Sequence, residues 1–234
     1  KNSITILLLI LSWPCFSQDI TVSDPVPFRS DDTYDFIGKI KNQYLIFHNK
    51  GTEFEVKAFD KDLYATWDKE IELEKRRSTI LGIVPSKDDF SVIYTYRKKR
   101  RLNLVLSRFS PTANLLDTAT IKVYSNVLTP SFKIIRSEDK TKLLIYYTKE
   151  QKKLEVLVYD LETMKVLWER KIQPSDMAYY EKDEQFVLSN DGELFIILQK
   201  ENRKLQREKH HYEIHQVTAD NRYHFFSIPM QSHL

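Results

Sequence analysis

Phe54-Glu55-Val56-Lys57-Ala58-Phe59-Asp60 and, 100 residues further on, Leu154-Glu155-Val156-Leu157-Val158-Tyr159-Asp160 decide the fold. Phe54, Val56 and Ala58 alternate with charged residues, and Leu154, Val156 and Val158 occupy the same places in the second stretch. A period of two marks a β-strand with one face in a core. A turn follows each stretch, and then Trp67-Asp68-Lys69-Glu70-Ile71 stands against Trp168-Glu169-Arg170-Lys171-Ile172. Two tryptophans so placed are expected to fill the same packing site in two copies of one unit.

Working outward, a compact apolar run precedes each alternating strand. These runs are Tyr44-Leu45-Ile46-Phe47, Val92-Ile93-Tyr94, Leu143-Leu144-Ile145-Tyr146 and Leu194-Phe195-Ile196-Ile197. Anchored on Ile46, Ile93, Ile145 and Ile196, they recur at steps of 47, 52 and 51 residues. Continuous apolar runs predict strands covered on both faces. The alternating strand of the second copy carries Leu102, Leu104 and Leu106, and that of the fourth is weaker, with Tyr212 and Ile214. Another strand is expected before each run, at 34–40, 78–84, 131–136 and 184–189. Gly38 and Gly82 fall in step within the first two of these, where glycine signals close approach of another backbone.

The unit is therefore four strands in about 50 residues, a period that belongs to β-propeller blades. Turn chemistry agrees: Asn190-Asp191-Gly192 is a strong turn signal, and Asp60 and Asp160 stand where an Asx-turn reverses the chain. Val158-Tyr159-Asp160-Leu161-Glu162-Thr163-Met164-Lys165 resembles the strand-turn-strand of WD40-like and quinoprotein-like blades, a likeness that extends over residues 34–230. The Gly-His signature of WD40 repeats is absent, and Trp67-Asp68 is a Trp-Asp pair in one unit only. The expected fold class is an all-β propeller of about four four-stranded blades, at 34–74, 75–125, 126–174 and 175–234. Closed rings hold four to eight blades, and the sequence stops directly after its last strand, near Pro229, so the chain is expected to form part of a larger ring. The alternative is a four-bladed ring that the lead-in segment 18–33 helps to close. A pair of β-sandwiches would show no constant four-strand period.

The front of the chain reads as an export signal spanning 1–17. Lys1 is followed by an apolar run from Ile4 to Trp13, shorter than the roughly 20 residues that span a bilayer. Cys15 and Ser17 are spaced for cleavage before Gln18. The leader resembles those of exported Bacteroidota proteins, which implies the periplasm or cell surface. Acylation at Cys15 is the weaker alternative, because Trp13 and Pro14 fit a lipobox poorly. Lys1 is not an initiator methionine, so the natural chain is expected to begin earlier. Cleavage before Gln18 removes the one cysteine, leaving no disulfide and placing stability in an apolar core. A net charge of +3 from 36 basic and 33 acidic residues describes a mixed surface and argues against nucleic acid as the partner.

Local charge is concentrated in two loops. Arg97-Lys98-Lys99-Arg100-Arg101 is the densest basic run and is expected at a hairpin tip. Lys200, Arg203, Lys204 and Arg207 occupy the corresponding place in the fourth unit. Such clusters suit acidic proteins, acidic glycans or lipid headgroups, or they keep a sheet edge from pairing. Metal binding is not expected. On one strand His211 and His215 share a face but stand about 13 Å apart at ~3.3 Å per residue, and His224 could complete a pair with only one of them. The acidic pairs Asp31-Asp32, Asp88-Asp89 and Asp183-Glu184 sit in turn-like settings. No Gly-x-Ser-x-Gly occurs, and four scattered glycines make no phosphate loop, so no cofactor is expected. The expected function is a non-catalytic exported scaffold that binds protein or glycan through rim loops. The alternatives are a glycan hydrolase or lyase domain with an acidic central channel and a sensor module.

Overall fold

A computed structural model describes residues 20–23, 25, 29, 30, 32–125, 129–149, 153–173, 184–201 and 210–230. The expected leader and the Cys15 alternative lie outside them. The described chain is built of sixteen strands. The first unit holds β1 (Thr33–Ile40), β2 (Gln43–Asn49), β3 (Phe54–Phe59) and β4 (Ala65–Ile71). The second holds β5 (Thr79–Pro85), β6 (Phe90–Lys98), β7 (Arg101–Phe109) and β8 (Leu115–Tyr124). The third holds β9 (Lys133–Arg136), β10 (Lys142–Lys149), β11 (Lys153–Asp160) and β12 (Lys165–Ile172). The fourth holds β13 (Glu184–Leu188), β14 (Leu194–Glu201), β15 (His210–Val217) and β16 (Tyr223–Met230). Each unit is one antiparallel sheet whose strands follow chain order. The described lead-in residues, 20–23 among them, carry no strand, so they add none to the last sheet.

The sheets stack in sequence through three apolar cores. One joins the first two units through Phe47, Val56, Tyr94 and Phe109. The next joins units two and three through Ile93, Leu104, Ile145 and Tyr159. The last joins units three and four through Tyr146, Val156, Leu194 and Ile196. Both faces of a middle sheet are thus buried, which explains why β6 and β10 are nearly continuous apolar runs. The alternating strands behave as the pattern demands: Phe54, Val56 and Ala58 face the second sheet, and Leu154, Val156 and Val158 face the fourth.

Strand pairing corrects the anchor of the second repeat. Ile46 stands opposite Phe36 and Lys57, and Tyr94 stands opposite Ile80 and Val105. Tyr94, not Ile93, is therefore the equivalent of Ile46, and the steps become 48, 51 and 51. Ile93 faces the following sheet and Tyr94 the preceding one.

The in-step glycines Gly38 and Gly82 answer to local backbone geometry and not to unusually close approach. Both follow a bulge, between Phe36 and Gly38 and between Ile80 and Gly82. A Cβ on Gly38 would stand 3.7 Å from Pro85, and one on Gly82 would stand 3.5 Å from Ile134, ordinary contacts with the next inner strand. What requires glycine at 38 is its φ of +136°, a conformation L side chains rarely adopt.

The turns after the third strands repeat as well. Asp60 Oδ1 accepts the Asp62 and Tyr64 amides, and Asp160 Oδ1 accepts those of Glu162 and Thr163. The hydroxyls of Ser110 and Thr218 do the same work in the other two units. The paired tryptophans share one register. Trp67 stands opposite Ala58 and Trp168 opposite Val158, and each packs into the core facing the next sheet.

Candidate binding rim

Because strands alternate in direction, the β6–β7 turn and the segments between sheets share one rim. The expected hairpin is there. Lys98 pairs with Arg101 across a two-residue turn. Lys99 and Arg100 have φ of 47° and 64°. Two-residue hairpins favour Asn-Gly because both central residues adopt positive φ. Two long basic side chains hold that geometry here at a cost to stability. Replacing Lys99 by Asn together with Arg100 by Gly is expected to stabilise the chain by about 1–2 kcal/mol. The check is the urea midpoint, which should rise while the slope stays unchanged.

All five residues from Arg97 to Arg101 are exposed. Arg97 donates to the Thr129 hydroxyl at 2.9 Å, on the segment leading to the third sheet. Among the described residues, no carboxylate pairs with Lys98, Lys99, Arg100 or Arg101. The charge at the tip is therefore left for solvent or a partner.

Sequence reading missed a second contribution. The segment joining β4 to β5 carries Lys75, Arg76 and Arg77, all exposed. It is tied to the hairpin strand by a hydrogen bond from the Tyr96 hydroxyl to Glu74. That carboxylate pushes the Tyr96 phenol up to about 12. The run Lys75-Arg76-Arg77 was visible, but nothing local placed it beside a hairpin twenty residues away. Of the fourth-unit cluster, Lys200 lies within β14, one residue before its end, and Arg203, Lys204 and Arg207 lie outside the described residues.

The opposite rim carries a cleft of about 750 Å³ between the second and third sheets. Its acids, Asp89, Glu138, Asp139 and Glu162, face Lys39, Lys87, Arg108 and Lys140. Burial raises the Asp89 carboxyl above its ordinary value, against the Arg108 guanidinium 3.8 Å away. Burial would also raise Asp139, but hydrogen bonds from Ser137 and Thr141 bring it below the ordinary value and keep it ionised. The cleft is balanced in charge, four acids against four bases.

Asp88 and Asp89 do lie in a turn, between β5 and β6. Asp31 and Asp183 fall outside the described residues. Asp32 closes a turn, its amide donating to the Arg29 carbonyl at 3.1 Å, and its side chain is buried 2.9 Å from His48 Nε2. The histidines separate. His215 places Nδ1 2.6 Å from the Tyr223 hydroxyl, and His224 stands opposite Gln216, on the other face of the sheet. Among the described residues, no group of three His, Cys, Asp or Glu could hold a metal ion, and no helix is long and apolar enough to cross a membrane.

Comparison with solved structures bears on the fold alone. The β-propeller domain of the Trilobed protease from Pyrococcus furiosus superposes with a TM-score of 0.51 at 12% identity, covering 86% of this chain and 59% of that one. The fold is a β-propeller. A HIRA fragment (residues 644–1017) matches at a TM-score of 0.46 and 14% identity, over 91% of this chain and 58% of that one. The Dos1 propeller matches at 0.43 and 11%, over 82% and 58%. The chain thus spans about three-fifths of the length of these propellers. No family model matches the sequence, and no curated protein does.

Proposed function

We propose that the chain is an exported interaction scaffold that captures an acidic partner, a glycan or a protein surface, on the rim of its second blade. The observation that carries this reading is the exposed basic patch formed by Lys75, Arg76 and Arg77 with Arg97 to Arg101, the hairpin tip at Lys99 and Arg100 being held at positive φ. A patch of one sign raises the local concentration of an oppositely charged partner and speeds its arrival. Export rests on the apolar leader, whose small residues at Cys15 and Ser17 precede Gln18.

Binding to immobilised polyuronate and to an acidic protein tests the reading. The chain is expected to bind one of them in a salt-sensitive manner. Changing Lys98, Lys99, Arg100 and Arg101 to Glu should weaken that binding by at least ~10-fold without altering the melting transition. Undiminished binding by this variant would remove the hairpin from the function.

A further inference from the structure

The joint between the second and third blades departs from its neighbours at one position. Tyr124, on β8, stands opposite Leu102, where the first blade has Ile71 opposite Phe54 and the third has Ile172 opposite Leu154. The two isoleucines are buried and close their joints with aliphatic packing. Tyr124 is 8% exposed, its ring set against Phe132 and Tyr147 at 5.4 and 5.9 Å. Its hydroxyl makes no hydrogen bond among the described residues. A hydroxyl so enclosed and without a partner carries a desolvation cost that isoleucine does not. Packing between blades therefore does not explain this phenol.

Tyr124 lines a pocket of about 210 Å³ together with Lys122, Tyr147, Glu155, Glu169 and Lys171. That volume is below the ~300 Å³ at which pockets for drug-sized ligands begin, and it suits a single ring. The Tyr147 hydroxyl donates to Glu155 Oε2 at 2.6 Å, while Glu155 Oε1 stands 3.8 Å from Lys171 Nζ, beyond hydrogen-bond length. Glu169 and Lys122 are taken up by each other. A phenol hydroxyl, one carboxylate oxygen and one ammonium are thus left with hydrogen-bonding capacity. Burial and, after it, the Glu155 charge push the Tyr124 phenol up, so it stays protonated and can donate. The Glu169 and Lys171 side chains are 56% and 74% exposed, which leaves the pocket open to solvent. Leu102, opposite Tyr124, directly follows Arg101, so the pocket adjoins the basic hairpin.

We infer that this pocket seats one uronic-acid residue of an acidic glycan. A pyranose ring carries hydroxyls that both donate and accept, and apolar C–H edges between them. Tyr124 and Glu155 meet the hydroxyls, the two phenol rings cover C–H surface, and Lys171 meets the sugar carboxylate. The inference rests on the reading of the rim as a seat for an acidic partner, and it narrows that partner to a glycan: the hairpin attracts the chain of charges, and the pocket holds one unit of it.

Two probes separate the pocket from the rim. Saturation-transfer NMR with free D-glucuronate reads the pocket, and retention on immobilised polyuronate reads the rim. Glucuronate should bind the parent chain in the millimolar range. Tyr124→Phe should weaken it by about 5-fold, the worth of one neutral hydrogen bond. The melting midpoint of this variant should stay the same or rise, because the lost hydroxyl had no partner, so weaker binding is not a folding defect. Glu155→Gln should weaken glucuronate by about 10-fold, since a charged acceptor is lost. No glucuronate binding at tens of millimolar, or equal binding to the parent and Tyr124→Phe, would overturn the inference even if polyuronate or an acidic protein is retained, and the rim reading would stand alone. Glucuronate bound through Tyr124 while polyuronate passes unretained would overturn the rim reading and leave the pocket a seat for the free sugar acid.

Discussion

Trp168→Ala is expected to lower stability by about 3–5 kcal/mol, the usual range for deleting a buried large aromatic. Trp168 is 5% exposed in the core between the third and fourth blades. Its indole Nε1 donates at 2.9 Å to the Gly192 carbonyl, in the β13–β14 turn of the fourth blade. A Cβ on Gly192 would approach Leu167 to 3.0 Å, so this turn and β12 are already in close contact. Truncation would leave a cavity and a buried carbonyl without its donor, and neither is easily repaired. At roughly 2–4 °C per kcal/mol for a chain of this size, the melting midpoint should fall by about 10 °C. Trp168→Phe keeps most of the volume and should recover more than half of the loss. Trp67 provides the internal comparison. It is only partly buried, and its indole donates to Gln43 within its own blade at 3.3 Å. Trp67→Ala should therefore cost clearly less. Calorimetry of the three variants checks the order, and equal losses at the two positions would refute it.

Glu55→Ala is expected to be the second large effect, at about 2–3 kcal/mol. The Glu55 carboxylate lies 2.9 Å from Lys50 Nζ, 3.3 Å from Lys57 Nζ and 3.3 Å from His48 Nδ1. His48 is buried, stacks on Tyr34 at 4.1 Å and meets Asp32 through its other nitrogen. Removing one member of a buried charge network is costly because its partners stay buried. Lys50, one-third exposed, can turn to water, which brings the expectation below the full range. Burial alone would raise the Glu55 carboxyl. The hydrogen bonds and charges of Lys50 and Lys57 instead hold it at about 2, against an ordinary value of 4.5. A carboxyl depressed in the folded state stabilises fully above about pH 4.5, and its contribution is lost as pH falls through about 2. Unfolding free energy between these limits should slope downward with acid in the parent chain and be flatter in Glu55→Gln. Parallel acid limbs would mean that the network does not hold Glu55 ionised.

The repeat was legible because its signal is local. Alternation in Phe54 to Ala58 and in Leu154 to Val158, one tryptophan register and two turn aspartates all lie within a few residues of each other. The Ile93 anchor slipped by one place because Val92-Ile93-Tyr94 is apolar on both faces. A run buried on both sides does not say which residue faces which way, and only pairing with Ile80 and Val105 distinguishes them. The weakness of the fourth alternating strand, with Tyr212 and Ile214 followed by Gln216, has a positional cause. Those residues occupy the face that no blade of the described chain covers. The hairpin was readable as a run of five basic residues between two strands. Its companions at Lys75 to Arg77, and the cluster of Asp32, His48 and Glu55, were not, because each depends on contacts between segments remote in sequence.

Among the described residues each blade closes upon four consecutive strands, and none borrows a strand from another. Cooperativity can therefore pass from blade to blade only through the cores between them, as through the couplings of a linear array. Failure at one such core would divide the molecule into two shorter stacks without unthreading either. Such a stack can gain or lose a whole repeat at either end while the remaining hydrogen-bond ladders stay complete. The same modularity makes any blade held by a core on one side only a place where opening begins.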